Sequence, residues 1–262
     1  RILICSSHTN FQKRMKELRS QMMLAARFAG YGSQENLQVI KILRDVAEEG
    51  DRAVAEYTEK FDGVKLKPEQ FRVSQDELDR ANQEIDQDIL LCLREAIENV
   101  RMYQKDILID TVNAPRGIRY TPLRRIGLCV PGASAPLPST VIMTAVPAQV
   151  AGVKEIAVVS PPRHNGSIHP VILAVCCELG ITEVYRIGGA QAVAALAAGT
   201  EMIARVDKIV GPGNKWVQAA KKNVAGDYCG IDSIAGPSEV LIIANEQGNP
   251  AWIAADMLSQ AE

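Results

Sequence analysis

Val206-Asp207-Lys208-Ile209-Val210-Gly211-Pro212-Gly213-Asn214 holds the fold in miniature. A short β-branched run passes through a loop of small residues into a segment, Asn214 to Val224, whose apolar residues recur at helical spacing. Working outward, the same unit repeats. Ile126 to Val130 leads into Pro131-Gly132-Ala133-Ser134-Ala135-Pro136 and a helical stretch from Thr140 to Ala151. Glu155 to Ser160 precedes a helix over His169 to Leu179, and Glu183 to Ile187 runs into Gly188-Gly189-Ala190-Gln191 and a helix over Ala190 to Ala198. Glu239 to Ala244 reads as a fifth strand. Runs this continuously apolar are buried on both faces, as in parallel sheets, and strand–loop–helix repeats are joined by right-handed crossovers. The expectation is an α/β chain containing a doubly wound, Rossmann-like parallel sheet.

Upstream the texture changes. Leu37, Ile40, Leu43 and Val46, then Val54, Tyr57 and Phe61, then Ile89, Leu93, Ile97 and Val100 form single apolar stripes on charged segments, predicting amphipathic helices packed on a core. Ser74 and Glu77 have the spacing of a capping box. This partitions the chain into an unplaced segment 1–33, a helical region 34–120, a sheet domain 121–239 and a segment 240–262 that returns towards the first region. Of the 262 residues 47% are hydrophobic and 23% charged, with net charge −2, which excludes disorder and gives no basic field for nucleic acid. Ile126 to Val153 carries no charge, yet Pro131, Pro136, Pro138 and Pro147 interrupt it, so a membrane span is not expected. Six cysteines without CxxC spacing point to a reducing compartment. Residue 1 is Arg, and no cap follows the apolar-periodic Ala251 to Glu262, so a cut chain is expected.

Ligands of such sheets gather at the carboxyl ends of the strands. Four small-residue loops, the fourth being Ala235-Gly236-Pro237-Ser238, would surround one crevice, offering backbone N–H donors and the neutral side chains of Gln191, Asn214 and Ser238. Each loop alone also makes an ordinary turn. GxGxxG, GxxxxGK[ST] and the nucleophile elbow are all absent. His8, His164 and His169 show no metal-ligand spacing and read as solvated or capping residues, so no conventional base is visible. Cys129, at a strand end, is either a packing residue or a reactive thiol beside the crevice. Residue chemistry alone stops at an unidentified ligand.

Taken in order, these stretches resemble the histidinol dehydrogenase family. The matching blocks are Gly127-Leu128-Cys129-Val130-Pro131-Gly132, Ala135-Pro136-Leu137 with Ser139-Thr140-Val141, Gly188-Gly189-Ala190-Gln191-Ala192, Val206 to Ile209 with Gly211-Pro212-Gly213-Asn214, Ala235-Gly236-Pro237-Ser238-Glu239-Val240, and Asp256-Met257-Leu258-Ser259-Gln260-Ala261-Glu262. Gly50-Asp51 and Tyr57 to Asp62 extend the likeness upstream, over about residues 34–262. The resemblance implies two incomplete Rossmann-like (aldehyde dehydrogenase-like) domains, the second truncated here, in a cytoplasmic homodimer. It also implies zinc-dependent oxidation of L-histidinol through L-histidinal to L-histidine with two NAD+. Carried over by position, Gln191 and Asn214 contact NAD, Ser238 and Gln260 contact the substrate, and Gln260 also ligates zinc through its side-chain oxygen. Cys129 stands where some members have a tyrosine that contacts NAD, and a thiol lacks the phenol's reach. The family's next zinc ligand and its Glu-His acid/base pair follow beyond Glu262, so no catalytic residue is expected within this chain and the chain alone is expected to be inactive. Two alternatives stay open: a relative oxidising another small alcohol such as sulfopropanediol, and a noncatalytic binding or assembly module.

Overall fold

The computed structural model describes residues 10–17, 19, 34–109, 115, 117–132, 136–235 and 240–258. Helices α1 (Gln34–Glu49), α2 (Asp51–Asp62), α3 (Gln75–Glu84) and α4 (Gln87–Ile107) precede β1 (Arg125–Cys129). Then follow α5 (Pro138–Val150), β2 (Glu155–Val159), α6 (Pro170–Glu178), β3 (Glu183–Tyr185), α7 (Gly189–Ala198), β4 (Lys208–Val210), α8 (Lys215–Val224), β5 (Gly230–Ile231) and α9 (Pro250–Leu258). The sheet order is β3-β2-β1-β4-β5, every pair parallel. Crossing from β3 back over β1 to β4 creates a switch point between β1 and β4.

Because both faces are covered, neighbouring strand residues serve different cores. Ile126, Leu128, Ile156, Val158 and Val184 pack with α3, α4, α5 and α6, whereas Cys129, Ala157, Val159, Tyr185 and Ile209 pack with α1, α2, α7 and α8. α7 is buried along its whole length up to Ala197, since α1, α2 and α8 all lie against it. Its alanines allow those helices to come close. The upstream helices are therefore layers of the same sandwich, α1 and α2 on one face, α3 and α4 on the other.

Boundaries of the expected helices hold within two residues, but three features differ. The stripe buried on α1 is Val39, Ile42 and Val46 with Leu43 beside it, and Leu37 is exposed; on α4, Leu90 is buried in place of Ile89. Both phases satisfy three-and-four spacing, and contact with α7 and α5 selects one. Ser74 caps α3 by accepting from the Glu77 N–H, but the Glu77 carboxylate turns to Arg186 and to Ser167 (2.6 Å) and does not close the box. The fifth strand is Gly230–Ile231, paired with β4, while Leu241 (85% exposed) and Ile243 (90%) lie in irregular chain. Residues 240–244 pair with no strand among the described residues. No helix among the described residues is long and apolar enough to cross a membrane.

The amino ends of the strands are tied by charge. Arg125, 5% exposed, donates to Glu183 (2.6 and 2.8 Å) and Glu155 (3.2 Å), and Asp207 accepts from the N–H groups of Arg124 and Arg125. The hydrogen bonds from Arg125 hold the Glu183 carboxyl below its ordinary range, against the opposing effect of burial. Arg125→Met is expected to cost about 3 kcal/mol in urea unfolding at pH 7, because two carboxylates lose their shared cation. A depressed carboxylate contributes stability above its unfolded pKa and loses it as pH falls. The wild-type advantage over the variant should therefore shrink below about pH 4.5.

Candidate functional site

At the carboxyl ends of the strands, straddling the switch point, lies a cavity of about 1320 Å³. Its floor is built from strand-end loops: Val130 to Gly132 after β1, Pro161 after β2, Gly188 to Gln191 entering α7, and Pro212 to Asn214 after β4. These loops are cemented by close contact. Gly211 has φ +106°, and a Cβ there would stand 2.3 Å from the Cys129 carbonyl oxygen, so only glycine lets β4 turn across the end of β1. Pro161 wedges between Gly132 and Gly188, 2.6 and 2.7 Å from where their Cβ atoms would be.

Gln191 sits in the first turn of α7, fully buried, with neither Oε1 nor Nε2 hydrogen-bonded within the protein. An unpaired buried amide costs on the order of 1–3 kcal/mol, so its presence at the cavity is evidence of a polar ligand. No side chain caps α7, whose N-cap is Gly188, so its first N–H groups also face an open site. Asn214 is the N-cap of α8: its Oδ1 accepts from the N–H groups of Trp216 and Val217, both at 3.1 Å. That leaves Nδ2 as the group with which Asn214 can meet a ligand.

Cys129 lines the cavity from the apolar side, and burial pushes its thiol up to about 12, with Asp232 adding to the rise and Lys221 opposing it. Its burial in the core favours the protonated thiol, as a packing residue would have. Ser238 and Gln260 lie outside the described residues. His169 accepts the Val171 N–H at Nδ1 (3.3 Å) as the α6 cap and lies tilted against His164, ring centroids 4.6 Å apart, neither of them lining the cavity. Among the described residues no group of three or more His, Cys, Asp or Glu could hold a metal.

Sequence reasoning missed the opposite wall. Val54 is core as expected, but Tyr57 and Phe61 face the cavity as a stacked pair, centroids 5.6 Å apart, with Lys60 over both rings. Asp45 fixes Tyr57 and Lys41, accepting from the phenol at 2.5 Å and the ammonium at 2.6 Å, and these bonds, Lys41 first, lower its pKa. Arg163 joins the lining and donates to Asp62 (3.1 Å), whose carboxyl burial nonetheless keeps above its ordinary value. An apolar stripe cannot report whether it faces a core or a ligand; an aromatic pair at helical spacing with Lys60 between its members was the available signal. Lys221 was missed as well. Buried within α8, it donates to the Gly211 carbonyl (2.8 Å) and to Asp232, which accepts the Gly211 N–H on its other oxygen (2.8 Å). Burial works against ionisation of Asp232, yet Lys221 and the N–H groups of Gly211 and Ser233 hold its pKa low.

A neutral, glycine-lined floor with one orphaned amide, facing a stacked aromatic wall with cations, suits a flat, polar, anionic ligand such as a nucleotide. Comparison with known proteins agrees in family. A profile described as histidinol dehydrogenase matches residues 29–262. Histidinol dehydrogenase of Thermosynechococcus vestitus is 50% identical over 240 residues, covering 89% of this chain and 56% of that protein. The Geobacillus kaustophilus protein is 44% identical over 255 residues, 95% of this chain and 59% of the relative. The crystal structure of histidinol dehydrogenase from Elizabethkingia anophelis superposes with TM-score 0.79 at 38% identity, over 88% of this chain and 55% of that one. The chain thus spans a little over half the length of these relatives.

Two outcomes are expected. Gln191→Met should raise the stability of the ligand-free protein by about 1–2 kcal/mol in urea unfolding, because it removes an unpaired amide at nearly constant volume. Cys129 and Cys176, both pushed from 9.0 up to about 12 by burial, bind their protons more tightly when folded. Stability should therefore be intact below pH 9 and fall between pH 9 and 12, where the unfolded chain deprotonates first; Cys129→Ala should flatten that fall.

Proposed function

Starting from the fact that the chain belongs to the histidinol dehydrogenase family, we propose that it supplies the dinucleotide-binding half of an oxidoreductase acting on L-histidinol. The observation that carries this reading is Gln191, a buried amide with both polar atoms unpaired at the edge of a cavity large enough for NAD. The residues present fit that group. Glycine-lined loops leave room where side chains would collide, α7 begins without a cap, and Asn214 keeps one donor free of its capping duty.

NAD+, when bound, would supply a hydride acceptor: one equivalent takes the alcohol to the aldehyde, and a second, with a water added to the aldehyde carbon, takes it to the acid, each step releasing a proton. The chain's own contribution is placement. Gln191 can both donate and accept, so it fixes the orientation of an amide or ribose edge; Asn214 donates from the other side of the switch point. The Tyr57–Phe61 stack gives the crevice an apolar wall, and Lys60, over both rings, offers a cation to a pyrophosphate, while Lys41 and Arg163 are paired with Asp45 and Asp62. Ser238 is the proposed substrate contact. Zinc is proposed from the family likeness, with Gln260, an infrequent ligand type, binding it through its side-chain oxygen, and no step is derived through the metal. Homodimerisation rests on the family likeness, and a cytoplasmic site rests on the free, scattered cysteines.

Calorimetric titration with NAD+ is expected to give saturable binding that Gln191→Ala weakens at least about tenfold, equivalent to about 1.4 kcal/mol. Asn214→Ala should weaken it too, at some cost in melting temperature because the α8 cap is lost. The full-length protein should reduce NAD+ with L-histidinol. Turnover of sulfopropanediol but not L-histidinol would overturn the substrate, and absence of NAD+ binding would overturn the reading itself.

A further inference from the structure

We propose that Lys221 and Asp232 are positioning residues that set the ligand-binding geometry of the Pro212–Asn214 loop by clamping Gly211 at both of its backbone groups. The inference rests on the reading of the crevice as a dinucleotide site and deepens it. Lys221 is 1% exposed on a helix whose other buried residues, Val217, Ala220 and Val224, are apolar. An aliphatic side chain would pack α8 as well without burying a charge. What the lysine adds is a closed ring of bonds: its Nζ holds the Gly211 carbonyl at 2.8 Å and the Asp232 carboxylate, and that carboxylate holds the Gly211 N–H at 2.8 Å.

The ring determines the direction in which the chain leaves β4. Gly211 is the residue that crosses the end of β1 at φ +106°, and the next three residues line the cavity. Asn214 starts α8 by capping it, and Lys221, two turns further on, reaches back to the residue that begins the loop. Gln218 closes the middle by donating to the Gly213 carbonyl at 2.9 Å. The loop is thus preorganised from the helix it introduces, so ligand does not have to order it.

NAD+ calorimetry and thermal melting of the wild type, Lys221→Met, Asp232→Asn and Arg125→Met test this. Lys221→Met is expected to weaken NAD+ binding at least tenfold. Arg125→Met, which breaks the ion cluster at the opposite end of the sheet, should lower the melting temperature and leave affinity within twofold of wild type. A folded Lys221→Met protein with wild-type affinity overturns the proposal. Should Lys221→Met show no cooperative melt, Asp232→Asn decides in the same way, since its carboxylate is partly exposed and its loss is easier to tolerate. Wild-type protein that binds no NAD+ removes the dinucleotide reading and this inference together, whereas wild-type binding unchanged in every variant removes the clamp alone.

Discussion

The approach of Gly211 to the Cys129 carbonyl is the constraint on which the rest depends. In a sheet ordered β3-β2-β1-β4-β5, β1 and β4 are neighbours in space and distant in sequence. Their onward connections leave for opposite faces, and the gap between them becomes a crevice only if neither chain blocks it. Glycine at 211 lets one backbone lie directly across the other. Gln191, Asn214 and the cavity floor then fall into place around that crossing.

The two ends of the sheet are built on opposite principles. The amino ends carry the paired charges, with Arg125, Glu155, Glu183 and Asp207 satisfying one another and the strand backbones. At the carboxyl ends the loops are small and neutral, and one amide is left without partners. A molecule with an ion-pair cluster at one end of its sheet and an unpaired amide at the other has separated what holds it together from what receives a ligand. Lys221 and Asp232 are a charged pair at the open end that is used to hold backbone.

Strand-to-helix order, helix limits and the location of the crevice were legible because each rests on local chemistry: continuous β-branched runs, helical spacing, and glycine where a strand turns. Gln191 and Asn214 were legible as neutral side chains at strand ends. What could not be read depends on partners remote in sequence. Leu37 and Val39 are equally good stripe members until α7 chooses between them. Tyr57 and Phe61 look like core because a cavity wall and a core use the same residues. β5 escaped notice because two residues ending a glycine-bearing turn have no pattern, while Val240 to Ala244 has the pattern of a strand but pairs with none among the described residues. Lys221 is invisible as a buried residue until the Gly211 loop folds over it.

The layering of α1 and α2 over α7 and α8 also sets an order of events during synthesis. Asn36 and Asn223 hydrogen-bond across 187 positions of chain, and Glu35 pairs with Lys215 across 180. The first helices therefore emerge from the ribosome long before the surface that buries Val39, Ile42 and Val46 exists. Until then their apolar stripes are open to solvent or to a chaperone, and closing so long a loop delays the final docking. The segment that walls the cavity is made before the helices it packs against, so the crevice cannot be completed until α8 has been synthesised.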